Sequence, residues 1–235
     1  MDRIKMGIEF TEQSHSTYKL LRNTKGYSLV EILVTLAIAG IITGAIYQTF
    51  LSQQKSYMAQ DQIAETQQNL RAALDIMVRE IRMAGYDPKE LGKFGIILAS
   101  ASSLKFTADI GSGSYRGNGN IDPGETFLYQ LYDSNHDGSP DALRRTPNGA
   151  PVAINIQNLE FYYTLEDGTK TLNPPDPGKI RSVQVSILAK ASKPDQNYTD
   201  THTYTTGSGT VWGPFNDSYR RRLVRITIGC RNMGL

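Results

Sequence analysis

Cysteine, histidine and tryptophan are all scarce in this chain, with one Cys, three His and one Trp among 235 residues. Cys230 is alone, so no intrachain disulfide is available and the fold depends on packing. His15, His136 and His202 lie far apart, and neither a zinc-ligand spacing nor a nucleophile-histidine set is present. The chain therefore reads as a non-enzyme. Charge of one sign is also missing. The formal charge is +2, but residues 1–26 hold five Lys/Arg against three acids, which leaves 20 of each in the body. A neutral body gives no electrostatic footprint for nucleic acid. Gly111-Ser112-Gly113 and Gly117-Asn118-Gly119 lack the lysine and the following helix of a phosphate loop. Nor do residues 1–26 contain the apolar core that a secretory signal places before its cut.

What is present is a single long apolar run. Ile32 to Leu51 gives 20 residues without a formal charge, about 30 Å of helix and enough to cross a bilayer. Arg22 and Lys25 precede it, so the front of the chain is expected on the cytoplasmic side and the bulk exported. Gly40 and Gly44 form a small-xxx-small pair that admits another helix closely. Glu31 stands at the edge of the run. A carboxylate inside hydrocarbon costs about 3 kcal/mol, so it either stays interfacial at the positive end of its own helix or meets a counter-charge. Cleavage after Gly26 would create one, a free amine on Tyr27 four residues before Glu31.

Beyond the run, Ile63, Leu70, Leu74, Met77, Ile81 and Ala84 recur at helical spacing and predict a stripe facing a core. Asp75 and Arg79 form an i,i+4 pair. Gly85, with Pro88 close behind, predicts the stop, so one helix is expected from about Ser28 to Ala84. The period then alternates. Residues 103–107, 127–132, 152–156, 159–165, 181–189 and 222–230 read as strands, and Glu166-Asp167-Gly168 as a hairpin turn. A helix followed by a run of strands predicts an α+β fold with the helix against an antiparallel sheet. Cys230 falls on the apolar side of the last strand as a small buried hydrophobe. Arg220-Arg221-Arg222 reads as a solvated charge run.

One stretch has coordination chemistry. Asp133, Asn135, Asp137, Ser139 and Asp141 put oxygens at alternating positions, with Gly138 sixth for the sharp turn. That is the start of an EF-hand-like calcium loop. Arg144 stands where the bidentate Glu belongs, so the pattern is a shortened calcium repeat or else a polar hairpin turn. Gly119 to Glu125 resembles the second half of such a loop without its early ligands.

Gly26-Tyr27-Ser28-Leu29-Val30-Glu31-Ile32-Leu33-Val34-Thr35 resembles the type IV prepilin motif. The resemblance implies a prepilin peptidase that cuts after Gly26 and methylates Tyr27, and assembly through Glu31 contacting a neighbour's N-terminus. Tyr27 replaces the usual Phe, and Gln48 replaces the helix-loosening proline of major pilins. Arg82-Met83-Ala84-Gly85-Tyr86-Asp87-Pro88, Asn158 to Tyr163, Arg181 to Val185 and Arg231 to Leu235 are similar to PilW-type minor pilins. The implied organisation is a leader over 1–26, a membrane and assembly half-helix over 27–54, an amphipathic half-helix over 55–84 and a sheet-based head over 85–235. The implied function is a minor pilin in pilus assembly, partnered by other pilins and minor pilins and by a tip adhesin. Its location is a single pass in a bacterial inner membrane with a periplasmic head, then the extracellular pilus. A type II secretion pseudopilin and a membrane-tethered calcium-binding periplasmic protein are the alternatives.

Overall fold

The computed structural model describes residues 26–147, 149 and 151–234. The expected leader, with Arg22 and Lys25, lies outside the described residues. The chain forms two compact units, one up to Ser52 and one from Gln53 to the C-terminus.

Helix α1 (Leu29–Arg82) contributes to both. In the first unit every residue from Gly26 to Phe50 is exposed, and the helix is long and apolar enough to cross a membrane. Apolar residues all round a helix leave it without a preferred inward face, which suits a bilayer or a bundle of like helices. In the second unit the pattern narrows to a stripe. Leu70, Ala73, Leu74, Met77 and Ile81 are buried, whereas Ile63, expected in that stripe, is exposed. The residue that takes its place at the upper end is the buried Thr66, whose hydroxyl bonds to the Gln62 carbonyl. Asp75 and Arg79 do not pair, because each side chain has free access to water and the pair gains little there. The helix stops at Arg82, two residues earlier than expected. Its last turn tightens, with the Met83 amide bonding to the Glu80 carbonyl, and Gly85 follows at φ +79°. A Cβ at Gly85 would stand 2.8 Å from the Met233 sulfur, so glycine serves both the left-handed turn and the close approach of the C-terminal segment.

Eleven strands follow in the described residues: β1 (Ile96–Ala99), β2 (Ser103–Thr107), β3 (Thr126–Tyr132), β4 (Ala142–Thr146), β5 (Pro151–Ile154), β6 (Ile156–Leu165), β7 (Lys170–Thr171), β8 (Ile180–Lys190), β9 (Tyr204–Thr205), β10 (Val211–Trp212) and β11 (Arg221–Gly229). All pairings are antiparallel, as expected, but they make more than one sheet. β1 to β5 form a meander in sequence order, β11-β8-β6-β7 form a second sheet, and β10-β9 form a small ribbon. The division falls inside the stretch 152–156 that alternation alone reads as one strand. Asn155 there adopts φ +59°, which swings the chain from the first sheet into the second. The hairpin at Glu166-Asp167-Gly168 connects β6 to β7.

One core joins α1 to both large sheets. Leu70, Met77 and Ile81 meet Phe106, Phe127 and Tyr129 from the meander and Phe161, Tyr163, Val183 and Val185 from the second sheet. Each such aliphatic side chain contributes roughly 1.5–3 kcal/mol by leaving water. Glu80 adds a polar clasp: it accepts from the Tyr129 hydroxyl and from Arg145 Nε, and pairs with Arg145 Nη2 at 2.7 Å. Burial first, and the Glu80 carboxylate second, push the Tyr129 phenol well above its ordinary pKa. The expected inward face of β6, Leu159, Phe161, Tyr163 and Leu165, is buried. On β8 the alternation is lost, because Ser186 and Leu188 on the opposite face are buried as well. The excursion between β8 and β11 reaches this face at Ser186: the Gly207 amide bonds to Ser186 Oγ, and Ser208 bonds to the buried Glu160.

Candidate functional site

The N-terminal motif begins with an exposed Gly26 and Tyr27, and Glu31 sits in the first turn of α1. A negative charge there is favoured by the partial positive charge of the helix start. Glu31 forms no ion pair among the described residues. Nothing lies within 4 Å of a Cβ built at Gly40 or Gly44, so no contact among the described residues requires either glycine. Gly26, Tyr27, Glu31, Gly40 and Gly44 thus all lie in the same exposed N-terminal stretch.

The predicted calcium residues lie on the loop between β3 and β4, where Asp133 holds the turn by backbone bonds but the three aspartates do not converge. Asp133 Oδ1 accepts the His136 and Asp137 amides and its Oδ2 accepts the Gly138 amide at 2.8 Å, the first at 2.7 Å. Gly138 has φ +90°, as the sixth position of the pattern demands. Asn135 Oδ1 accepts from the Asp137 amide, and Asp137 Oδ1 from the Ser139 amide. Asp141 closes the loop by accepting from the amide and hydroxyl of Ser134. A carboxylate offers about four acceptor positions, so Asp133, Asp137 and Asp141 all keep capacity after these bonds. Among the described residues, no three acidic, His or Cys side chains stand close enough together to hold a metal ion. Desolvation works against ionisation of Asp133, but the amides of Gly138, His136 and Asp137 together outweigh it and hold the carboxyl below its ordinary pKa.

The upstream loop is built differently. Asp109 and Glu125 are fully buried, and their oxygens accept the amides of Gly117, Gly119, Gly111 and Asp122. These two carboxylates pin the loop by backbone bonds.

Sequence reasoning missed the largest polar assembly of the head. Arg221, expected on a solvated face, has a side chain only 1% exposed. It pairs with the fully buried Asp200 at 3.0 Å and with Asp217 at 2.6 Å, donates to Gln157, and stacks over Phe215 at 4.0 Å. Tyr204 and Tyr198 donate to Asp200 as well. Strand alternation separates Arg221 from Arg220 and Arg222. Arg220 pairs with Asp195, and Arg222 is exposed. The local signal was the alternation itself; the acids arrive from the excursion, 4 and 21 residues away in sequence. Cys230 is buried, as expected, and desolvation pushes its thiol up to about 12. It is no nucleophile at neutral pH.

Two family models match this chain. Residues 130–232 match "Type IV Pilus-assembly protein W", and residues 21–47 match the "Prokaryotic N-terminal methylation motif". The chain is thus similar to PilW-type pilus-assembly proteins over residues 130–232 and to N-methylated prepilins over residues 21–47. The first match spans β4 to β11, the calcium-like loop and the Arg221 assembly, so the PilW-like head is the part of the chain with the second sheet. The second match spans Gly26, Tyr27, Glu31, Gly40 and Gly44. No curated protein matches the chain. Among solved structures, the type IV-like pilin TTHA1219 from Thermus thermophilus is similar at 18% identity with a TM-score of 0.45, covering 72% of this chain and 97% of its own.

Proposed function

We propose that this protein is a minor subunit of a type IV pilus that takes part in pilus assembly. In this reading prepilin peptidase cuts after Gly26 and methylates Tyr27, α1 anchors the chain in the inner membrane, and Glu31 receives the N-terminus of an adjacent pilin. The head then sits in the periplasm until it enters the extracellular filament beside other pilins, minor pilins and a tip adhesin. The role is structural, not enzymatic. One observation carries it: a methylation motif and a PilW-type head occur on the same chain, with the motif on an exposed apolar helix. Mass spectrometry of the mature N-terminus is expected to give a methylated Tyr27. An N-terminus upstream of Gly26 in membrane fractions overturns the reading. Deletion is expected to reduce piliation and spare secretion; the opposite pattern assigns the chain to a type II secretion system.

The loop between β3 and β4 is proposed to take calcium through Asp133, Asn135, Asp137, Ser139 and Asp141. Support comes from the ligand pattern, from the turn already held by Asp133, and from the acceptor capacity left on all three carboxylates. Millimolar calcium is expected to raise the unfolding midpoint of the protein and to leave an Asp137→Ala variant unchanged. At 100-fold excess over Kd the stabilisation is about 2.7 kcal/mol. An equal response of both proteins removes the loop as the site.

A further inference from the structure

At the exit of α1 the head carries a groove of about 480 Å³ that none of the roles above uses. Val78, Met83 and Tyr86 give it apolar walls, and Arg79, Arg82 and Arg231 bring three guanidinium groups to it. None of these three arginines is ion-paired among the described residues, a state they share with Arg71, Arg116, Arg144, Arg222 and Arg225; what sets them apart is that three converge on one groove. Asp75 is the one acid on its walls among the described residues. Unpaired cations beside apolar surface suit a carboxylate-bearing protein segment, since the guanidinium forks bind carboxylates in a bidentate manner and the walls desolvate the pair. Phosphate polymers would leave the apolar walls uncovered, and the neutral body of the chain offers no wider field to draw them.

A segment of that chemistry exists on this protein. The loop between β3 and β4 carries Asp133, Asp137 and Asp141, whose charge is open to a guanidinium when no calcium is bound. It lies beside Tyr219 and Lys190, with which Asp137 and Asp141 line a cleft, and so stands at the start of β11. Arg231 and Asn232 place the groove just past the end of the same strand. At about 3.3 Å per residue, the length of β11 keeps loop and groove roughly 30 Å apart within one head. They cannot meet in the same molecule. They are complementary between two molecules in a head-to-tail contact, which does not close on itself.

We propose that the arginine groove at the exit of α1 docks the acidic loop between β3 and β4 of a second copy of this chain. The full-length chain, carrying two different tags, is co-expressed and its membranes are treated with a short bis-maleimide in the presence of EGTA. One form carries Tyr86→Cys at the groove, and the other carries Ser139→Cys on the loop. Cys230 is buried and its thiol protonated, so it reacts slowly. A mixed-tag dimer is the expected product. Arg82→Glu on the groove form is expected to lower its yield about fivefold or more, the effect of roughly 1 kcal/mol at a surface charge pair. Asp137→Lys on the loop form is expected to restore the yield with Arg82→Glu and to lower it with native Arg82. Arg222→Glu, an exposed arginine outside the groove, is expected to change nothing. Absence of the mixed-tag dimer with native charges overturns the proposal, and so does a yield that ignores Arg82→Glu or that the reversed pair fails to restore. In those cases the groove serves another acidic partner or none.

Discussion

Replacing Arg221 with alanine is expected to lower the unfolding free energy of the head by about 3–5 kcal/mol, the range for removing one partner of a buried ion pair. The cost arises mainly from what is left behind. Asp200 is fully buried and would lose its only guanidinium among the described residues, while Gln157 loses its donor. Chemical unfolding followed by far-UV circular dichroism measures the loss. Asp217→Asn supplies the contrast: that side chain is 39% exposed, water can replace part of its contact, and the loss is expected to stay within about 1 kcal/mol. Equal losses from the two variants would place the energy in general packing around β11, not in the buried pair.

The same cluster fixes the direction of the pH dependence. For Asp200, burial works against ionisation, but hydrogen bonds from Tyr204 and Arg221 outweigh it and hold the carboxyl below its ordinary range. The hydrogen bond from Arg221 lowers Asp217, and the Asn197 amide followed by Arg220 lowers Asp195. An unfolded aspartate titrates near about 3.9. A depressed folded value means that the folded state binds fewer protons, so the stabilisation is complete above that pH and drains away as pH falls through the folded values. Thermal midpoints are expected to be flat above about pH 5 and to drop below about pH 4. The Arg221→Ala protein should show a shallower drop, because the Asp200 and Asp217 shifts depend on the guanidinium.

Glu31→Gln is expected to have the largest effect on function and almost none on the fold. The Glu31 side chain is exposed and unpaired among the described residues, so exchange for its neutral isostere should shift stability within about 0.5 kcal/mol. Removal of Gly26 and the leader should proceed, since the cut site is unchanged. In the proposed assembly, what disappears is the counter-charge for a neighbour's amine in a low-dielectric environment, where an unpaired charge costs several kcal/mol. Sheared filaments probed by immunoblot are expected to lack the variant, with the full amount retained in the membrane. Incorporation at the native ratio would show that Glu31 plays no part in assembly.

The two large-effect positions were not equally legible. The place of Glu31 was readable because its signal is local: one carboxylate directly before an apolar run, which the structure puts in the first turn of α1. The inward faces of β6 and of α1 from Leu70 to Ile81 were readable for a related reason, since period alone assigns a side. Ile63 was misread because the stripe continues in sequence past the level where core residues cover it. Arg221 was misread because nothing near it in sequence announces Asp200, which lies on an excursion with neither helical nor alternating period. The strands β1 and β4 escaped as well. β1 is short, with Ile97 and Leu98 exposed, and β4 carries two arginines where alternation would ask for apolar residues. Arg145 is accommodated there only because Glu80 comes from α1 to meet it.

The sequence by itself determined the features set by local chemistry: an apolar helix with one acid at its edge, its end shortly before Gly85, the antiparallel strands with most of their inward faces, and the absence of an intrachain disulfide. Tertiary structure alone decided where the strands divide into sheets, which polar residues go inside, and which arginines remain free. The physical reason is desolvation. A charged side chain is tolerated inside only when a partner from a distant segment arrives to pair with it. Arg221 found Asp200 and Asp217, while Arg79, Arg82 and Arg231 were left without an ion pair in the described head.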